Sequence, residues 1–245
     1  MKNFRMIAMM GLVLMTSLVM TSCLSGKDGD NKSTQNVIVL YENGTLKQYG
    51  GETLIPENTS YLPSAPGIYS IGIEYDPTTW SGDKLNVKLT SAPISLNNYN
   101  VVSGSAKGNI NMYDLNYNGE MYPFMFNEDY IMVPYIFWME NVSANDYSAE
   151  EKKHHFYLQA PEDLHTDGTT LELWIYDVVD DPEVQRNKSS YLYQAFNIRN
   201  LIQGFKAVNG AAPNVIRMKT MVNRSSYDPA DQNTREEYYD ITLAN

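Results

Sequence analysis

The sequence predicts an all-β protein: an N-terminal small barrel of the OB type over residues 36–100, followed by a C-terminal β-sandwich over residues 108–245. Three observations carry that expectation. Nineteen of the 245 residues are tyrosine while alanine is sparse, a bias toward strands over helices. Short runs alternating apolar with polar residues recur along the chain, as half-buried strands do. The stretch VSGSAKGN at 102–109 is small and polar, the composition of a link between two such domains.

Taken in order, the chain opens with Lys2 and Arg5 ahead of Met6–Met20, fifteen residues without a charge. That has the shape of a secretory signal, and it falls short of the roughly 20 apolar residues a membrane-spanning helix needs. Thr21 and Ser22 precede Cys23, the one cysteine in the chain. The arrangement resembles the bacterial lipobox, with Met20 standing where leucine is commoner. Cys23 is therefore expected to carry a covalent diacylglycerol and an N-acyl chain, and residues 1–22 to be removed; the bland alternative is a chance thiol in an ordinary signal peptide. More than one acyl chain is what stable anchoring requires. Residues 23–35 are polar and poor in apolar side chains, a flexible tether. Lys27, Asp28 and Asp30 look like the export signal that gut-type Gram-negative anaerobes place behind the lipidated cysteine. The expected address is the outer membrane, with surface display favoured over the periplasmic face.

NVIVLYENGTLKQYG begins the folded part with an apolar run at 37–41, an Asn43-Gly44 turn, and Thr45, Lys47 and Tyr49 on alternate positions. A two-residue hairpin turn needs positive φ at both positions, which Asn and Gly tolerate. GIYSIGIEYD at 67–76 and KLNVKLTSAPIS at 84–95 alternate as strands do, and PTTWSGD between them is turn chemistry. Four or five short strands in this stretch suit the small barrel. Beyond 102–109 come INMYDL, YIMVPYIFWM, HHFYLQA, TLELWIYDVV, YLYQAFNI, NVIRMKTMV and YYDITLA, spaced as in a β-sandwich. One helix of a few turns is expected near SAEEKK, with no longer amphipathic period. Trp138 and Trp174 lie in apolar strands and are expected in the core.

The formal net charge is −11. Removing residues 1–22 takes away two basic residues and no acid, leaving 16 Lys and Arg against 29 Asp and Glu, a net of −13 over 223 residues. Nucleic acid is excluded as a partner, because phosphate binding draws on clustered Lys and Arg and the largest basic cluster is Lys152 with Lys153. The acidic surface also repels anionic lipid heads, so the membrane is met through the lipid anchor alone.

The order of these residues resembles the NigD-like lipoprotein family: Cys23 and its tether, NVIVLYENGTLKQYGG, GIYSIGIEYD with KLNVKLTSAPIS, then YIMVPYIFWM, HHFYLQ and TLELWIYDV ahead of YLYQAFNI. The resemblance spans nearly the whole mature chain and implies an N-terminal OB-type domain and a C-terminal β-sandwich. It also implies a role linked to bacteriocin loci, as an immunity or accessory protein. The family carries no agreed catalytic residues, so the resemblance assigns no site.

Three groups of residues are candidates for chemistry. His154 or His155, with His165 and Glu162 or Asp163, would make a zinc site if 156–164 folded back as a hairpin; the plainer reading is a polar histidine at a strand start. Asp177, Asp180, Asp181 and Glu183 could offer oxygens to calcium, but lack the glycine-punctuated spacing of an EF-hand and read more simply as a solvated acidic loop. No metal or cofactor beyond the lipid is expected. Trp80, in a turn beside Tyr75, is expected on a recognition surface, since an aromatic pair with a polar rim is how binding hot spots are built; burial in a hinge is the competing reading. No G-x-S-x-G, phosphate-loop or dinucleotide motif is present. The sequence therefore points to a non-enzymatic binding module for a protein or glycan. A glycan- or peptide-processing hydrolase is the alternative, since a carboxylate pair is set by the fold and not by spacing.

Overall fold

The computed structural model describes residues 32–105, 107–116, 121–164 and 168–243. The signal segment, Cys23, the export-signal residues and His165 lie outside the described residues. The protein is all-β with few helices, and it divides into two compact units, one ending at Asn97 and the other beginning at Asn98.

In the first unit β1 (Ser33–Glu42), β2 (Thr45–Gln48), β3 (Thr53–Pro56), β4 (Gly67–Tyr75) and β5 (Lys84–Leu89) close on themselves in the order β1-β2-β3-β5-β4-β1. All contacts in the ring are antiparallel except β3–β5, which is parallel from Thr53↔Lys84 to Pro56↔Val87. A short β6 (Ile94–Ser95) adds to β4. The hairpin forms where the sequence places it: Asn43 and Gly44 have φ of 51° and 78°, both positive, as the tight turn demands. Alternation then fills the interior. In KLNVKL the residues Leu85, Val87 and Leu89 are buried and Lys84, Asn86 and Lys88 exposed. Those three pack with Val39, Leu46, Leu54, Ile71 and Ile73 into one cluster.

The two-residue β7 (Asn97–Asn98) lies at the division. In the second unit β8 (Val101–Ser103), β9 (Met112–Asp114), β10 (Phe124–Met125), β11 (Tyr130–Met139), β12 (His154–Ala160), β13 (Thr170–Val179), β14 (Lys188–Asn197), β15 (Val215–Val222) and β16 (Arg235–Thr242) belong to one hydrogen-bonded sheet. One run joins β7, β14, β11 and β9 with β10; the other joins β16, β15, β13, β12 and β8; among the described residues the two are linked through the pair Met112–Val222. The core draws on both runs: Val133, Tyr135 and Phe137 of β11 pack with Phe156 and Leu158 of β12, Leu173 and Ile175 of β13, and Met218 of β15.

Two features depart from the sequence reading. The sheet is mixed, because β13–β15 and β12–β8 are parallel. Parallel neighbours need a long crossover, and β14 with a helix supplies it between β13 and β15. The 102–109 stretch is not a free link: Val101–Ser103 pair with Leu158–Ala160, so the division falls earlier, at Asn97. Helix α1 (Tyr147–Glu151) stands near the expected place. Helix α2 (Arg199–Asn209) is additional, and ends on Gly210 in the left-handed conformation with its N–H bonded to the Lys206 carbonyl.

Candidate functional site

The sequence candidates separate. Trp80 follows a 3₁₀ turn at Pro77–Thr79, is 45% exposed, and donates its indole N–H to the Gly82 carbonyl at 3.0 Å. Tyr75 is half-buried against the barrel core. The zinc grouping does not assemble. β12 runs extended from His154 to Ala160, roughly 20 Å at strand rise, and carries Glu162 and Asp163 past the end opposite both histidines. No cluster of three or more metal-binding side chains occurs among the described residues.

Of the four acids, Asp177, within β13, and Asp181 enter an ion-pair network, whereas Asp180 and Glu183 are exposed. Asp177 and His154 are fully buried and meet at 2.6 Å between Oδ2 and Nδ1. On the other side of the imidazole, Glu150 Oε1 lies 3.6 Å from Nε2; the same oxygen is 3.2 Å from Nε of the buried Arg186 and accepts the Glu140 N–H at 3.0 Å. Lys153 bridges Glu150 at 3.0 Å and Asp181 at 2.8 Å. Arg186 reaches the Asp181 carboxylate and donates to the Asp181 and Val184 carbonyls at 2.8 and 3.1 Å. Asp180 sits 2.8 Å from His155. Burial works to raise the Glu150 carboxyl, but the Glu140 N–H, Lys153 and Arg186 outweigh it and hold it below its ordinary range. Asp181 is likewise lowered, against burial, by Lys153 and Arg186. Lys153 is raised by the hydrogen bonds it donates to Asp181 and Glu150. His154 is buried and meets Asp177 through Nδ1, while its Nε2 has no hydrogen-bond partner among the described residues; the network clamps α1 and β12 to the β13–β14 loop.

The open feature of this unit lies where two parallel strands part. β13 and β15 are neighbours from Thr170↔Val215 to Trp174↔Lys219. Beyond that, β13 takes Ile110 as its partner at Asp177, while Val222 of β15 turns to Met112. The segment 109–112 is wedged into the fork, and a cavity of about 620 Å³ opens beside it, inside the size range of small-ligand sites. Trp174 and Tyr176 line it from β13, Gln159 from β12, Thr220 from β15, and Glu236 from β16.

Local chemistry fixes the walls. Gly108 passes so close to β13 that a Cβ there would stand 2.5 Å from the Asp177 carbonyl oxygen. Asn109 exchanges two 2.8 Å hydrogen bonds with the backbone of Val179. Asn111, nearly unexposed, donates to the Asp228 carbonyl at 2.7 Å and to Thr234 at 2.8 Å, tying down the β15–β16 loop whose Pro229 and Thr234 form the far wall. Trp174 is thus not a core residue. The alternation of β13 buries Leu171, Leu173 and Ile175 and turns Glu172, Trp174 and Tyr176 to the other face, a signal already present in TLELWIYDVV. Trp138, by contrast, is buried and donates to the Asn223 carbonyl at 3.0 Å. Gln159 and Thr220 carried no sequence signal, because a lone amide or hydroxyl in a strand looks like any other polar position.

No family model matches the chain, and no curated protein matches it. Solved structures do. A candidate lipoprotein from Bacteroides fragilis superposes with a TM-score of 0.73 at 22% identity, over 86% of this chain and 98% of that one. An uncharacterised protein from Parabacteroides merdae gives 0.50 at 12% identity, over 86% and 98%. A NigD-like immunity protein from Bacteroides caccae gives 0.47 at 11% identity, over 84% and 91%, a likeness too low to support an inference. At these identities the fold is what is shared: this chain has the fold of the B. fragilis protein over nearly its whole described length.

Proposed function

We propose that this chain is a lipid-anchored envelope protein of the NigD-like kind that binds a ligand without transforming it. The anchor reading rests on Cys23 at the signal boundary and is in keeping with a fold shared with a candidate lipoprotein. The barrel is read as an OB-type domain because its closed order, with β3 parallel to β5 between antiparallel neighbours, is the ring that fold requires. The second unit is read as a sandwich closed at β9, since its two runs of strands share one core. The outer membrane, with surface display, remains the proposed address.

The observation that carries the binding reading is the cavity at the β13–β15 fork, walled by two aromatic rings and by buried polar groups on hydrogen-bonded, glycine-dependent supports. A binding site needs shape and a few placed polar groups; a hydrolase needs a convergent acid and base, and Glu236 in this wall is 3.4 Å from Lys219 with no second carboxylate beside it among the described lining residues. The experiment is a thermal-shift screen of the mature chain against sugars, amino acids, nucleosides and short peptides, with products followed by mass spectrometry. A saturable upward shift without turnover, lost in Ser105→Trp at the rim, is expected. Consumption of any compound would favour the hydrolase. An immunity role would need a protein partner instead, and for it we propose the exposed Trp80 turn, flanked by Tyr75.

A further inference from the structure

We propose that the cavity at the β13–β15 fork binds an organic cation, an ammonium or guanidinium group on an apolar stem; the inference rests on reading the cavity as the ligand site and adds the class of ligand. The first observation is the kind of wall that opens to the cavity. The alternation of β13 turns Trp174 and Tyr176, both half-buried, to the face away from the core, and Met221, 41% exposed, stands on the same face of β15. Tyr157 stacks on Tyr176 with the ring centroids 5.4 Å apart, which holds that ring in place. Pro161 and Pro229 add apolar surface to the rim. Aromatic faces carry negative charge density and attract cations, and apolar walls cover the stem on which such a cation is carried. The indole already takes one: Lys219 Nζ lies over it, 5.6 Å from the ring centroid.

The second observation is where the charges on that face end. Asp240, Arg217, Glu172, Lys219 and Glu236 form a chain of alternating sign, with successive separations of 2.7, 3.9, 3.0 and 3.4 Å. Three carboxylates share two cations, so one negative charge is left over. Glu236 is the end of the chain that lines the cavity; it is exposed, and it is the farther of the two acids that Lys219 holds. A second carboxylate stands at the rim. Glu162 follows the lining residue Pro161, and its Oε1 comes within 3.8 Å of where a Cβ on Gly104, another lining residue, would lie. Glu162 is exposed and forms no ion pair among the described residues. Lys107 is the cation among the described lining residues; it is exposed too, and its long stem leaves the ammonium in water.

The third observation is the field around the cavity. Residues 98–245 carry 21 Asp and Glu against 11 Lys and Arg, whereas residues 32–97 carry six against four. A cleft with low-dielectric walls focuses such a field and concentrates ions of the opposite sign. An anion would meet the same field as repulsion, with no arginine among the described lining residues to receive it. A neutral ligand would leave the surplus carboxylate unmatched. Walls already braced by Asn109 and Asn111 lower the ordering cost of binding.

The test is calorimetric titration of the mature full chain, at low ionic strength, with 1,5-diaminopentane, agmatine and the capped peptide acetyl-Ala-Lys-Ala-amide. The controls are 1,5-pentanediol, glutarate and acetyl-Ala-Ala-Ala-amide, which keep the stem or the backbone and change the charge. Each is run on the native protein, Glu236→Gln, Glu162→Gln and Ser105→Trp, three substitutions at exposed positions whose fold is checked by circular dichroism; should one fail to fold, the other two decide. At least one cationic probe is expected to bind where its control does not. Its affinity should fall roughly fivefold in Glu236→Gln, the factor of one partly exposed charge pair, and less in Glu162→Gln, and binding should be lost in Ser105→Trp. Tighter binding of the lysine peptide than of the free amines would identify a basic peptide as the source of the cation, and the reverse a small amine. Binding of the diol or the alanine peptide as tight as that of the cations, lost in Ser105→Trp, would overturn the cation and leave the cavity as a ligand site. Cation binding that both glutamine variants leave unchanged, or that Ser105→Trp does not remove, would overturn the assignment to this cavity. No heat from any cationic probe would overturn the proposal, while the thermal-shift screen decides separately whether the cavity takes another ligand.

Discussion

At the scale of single residues, the buried pairing of Glu150, His154, Asp177 and Arg186 sets the strongest constraint. Removing one member of a buried ion pair typically costs about 3–5 kcal/mol, because the partner charge is left unmatched. Glu150→Gln is therefore expected to lower the melting temperature by far more than Glu151→Gln, which alters a more exposed neighbour. The same network sets a pH dependence. The carboxyls of Glu150 and Asp181 are held below their ordinary values in the fold, so the folded state binds fewer protons than the unfolded one. Their contribution is fully present above the unfolded values, near 4, and is lost as the pH falls through the folded ones. Urea midpoints between pH 3 and 6 should decline on the acid side, less steeply in Glu150→Gln; parallel curves would remove these groups from the account. Trp80 gives the opposite expectation. With nearly half its surface exposed and its one hydrogen bond made to the local turn, Trp80→Ala should shift the thermal midpoint by no more than a degree or two, well below the cost of truncating a buried tryptophan. Its effect, on the reading above, belongs in capture of a protein partner. The acidic stretch 177–183 shows why residues were the least legible level. The sequence displays four acids close together, but that Asp181 meets Lys153 and Arg186 while Asp177 meets His154 depends on residues brought alongside by tertiary pairing.

At the scale of elements, what the chain encodes locally could be read and what it encodes through partners could not. KLNVKL and TLELWIYDVV fold as strands with the alternation they display, since period-2 burial is a local property. Helix α2 went unread. Its apolar residues Leu201, Ile202, Phe205 and Val208 do fall on a helical stripe, but Phe205 alone among the eleven residues is fully buried, Val208 is 40% exposed, and Gly204 interrupts the run. Gly is about 1 kcal/mol worse than Ala inside a helix, so α2 depends on docking more than on propensity. Phe205→Ala should then destabilise by about 3–5 kcal/mol, and Val208→Ala by well under 1, a contrast that denaturant midpoints resolve. The fork between β13 and β15 is a property of neither strand alone. It exists because Ile110 and Met112 take the partner positions that each strand would otherwise offer the other, and no periodicity in either segment announces a third segment from elsewhere in the chain.

At the scale of the whole molecule, two cores form from residues that do not overlap: Val37–Leu89 supply one cluster and Met112–Val222 the other. Each unit therefore buries apolar surface of its own, which is what independent folding requires. The first unit is the harder case. A chain of its size buries only about 60% of the surface it exposes when unfolded and is marginal on that count. Against that, its ring is closed, so among β1 to β5 each strand has two partners and no open edge remains in the circuit. Its longest pairing, Ser33–Tyr41 of β1 with Gly67–Tyr75 of β4, lies wholly inside the unit. A fragment of residues 32–97 is therefore expected to fold alone, with a stability of roughly 3–5 kcal/mol. Its amide spectrum should be dispersed, and its slowest-exchanging amides should lie in β4, where Ile71 and Ile73 are buried. Leu85→Ala in the fragment, at a cost of about 2–5 kcal/mol, should suffice to unfold it, although the same substitution in the full chain leaves the second core untouched. A fragment with random-coil shifts would show that the barrel draws its stability from the rest of the chain, and the division at Asn97 would then mark a change of topology without a boundary of folding.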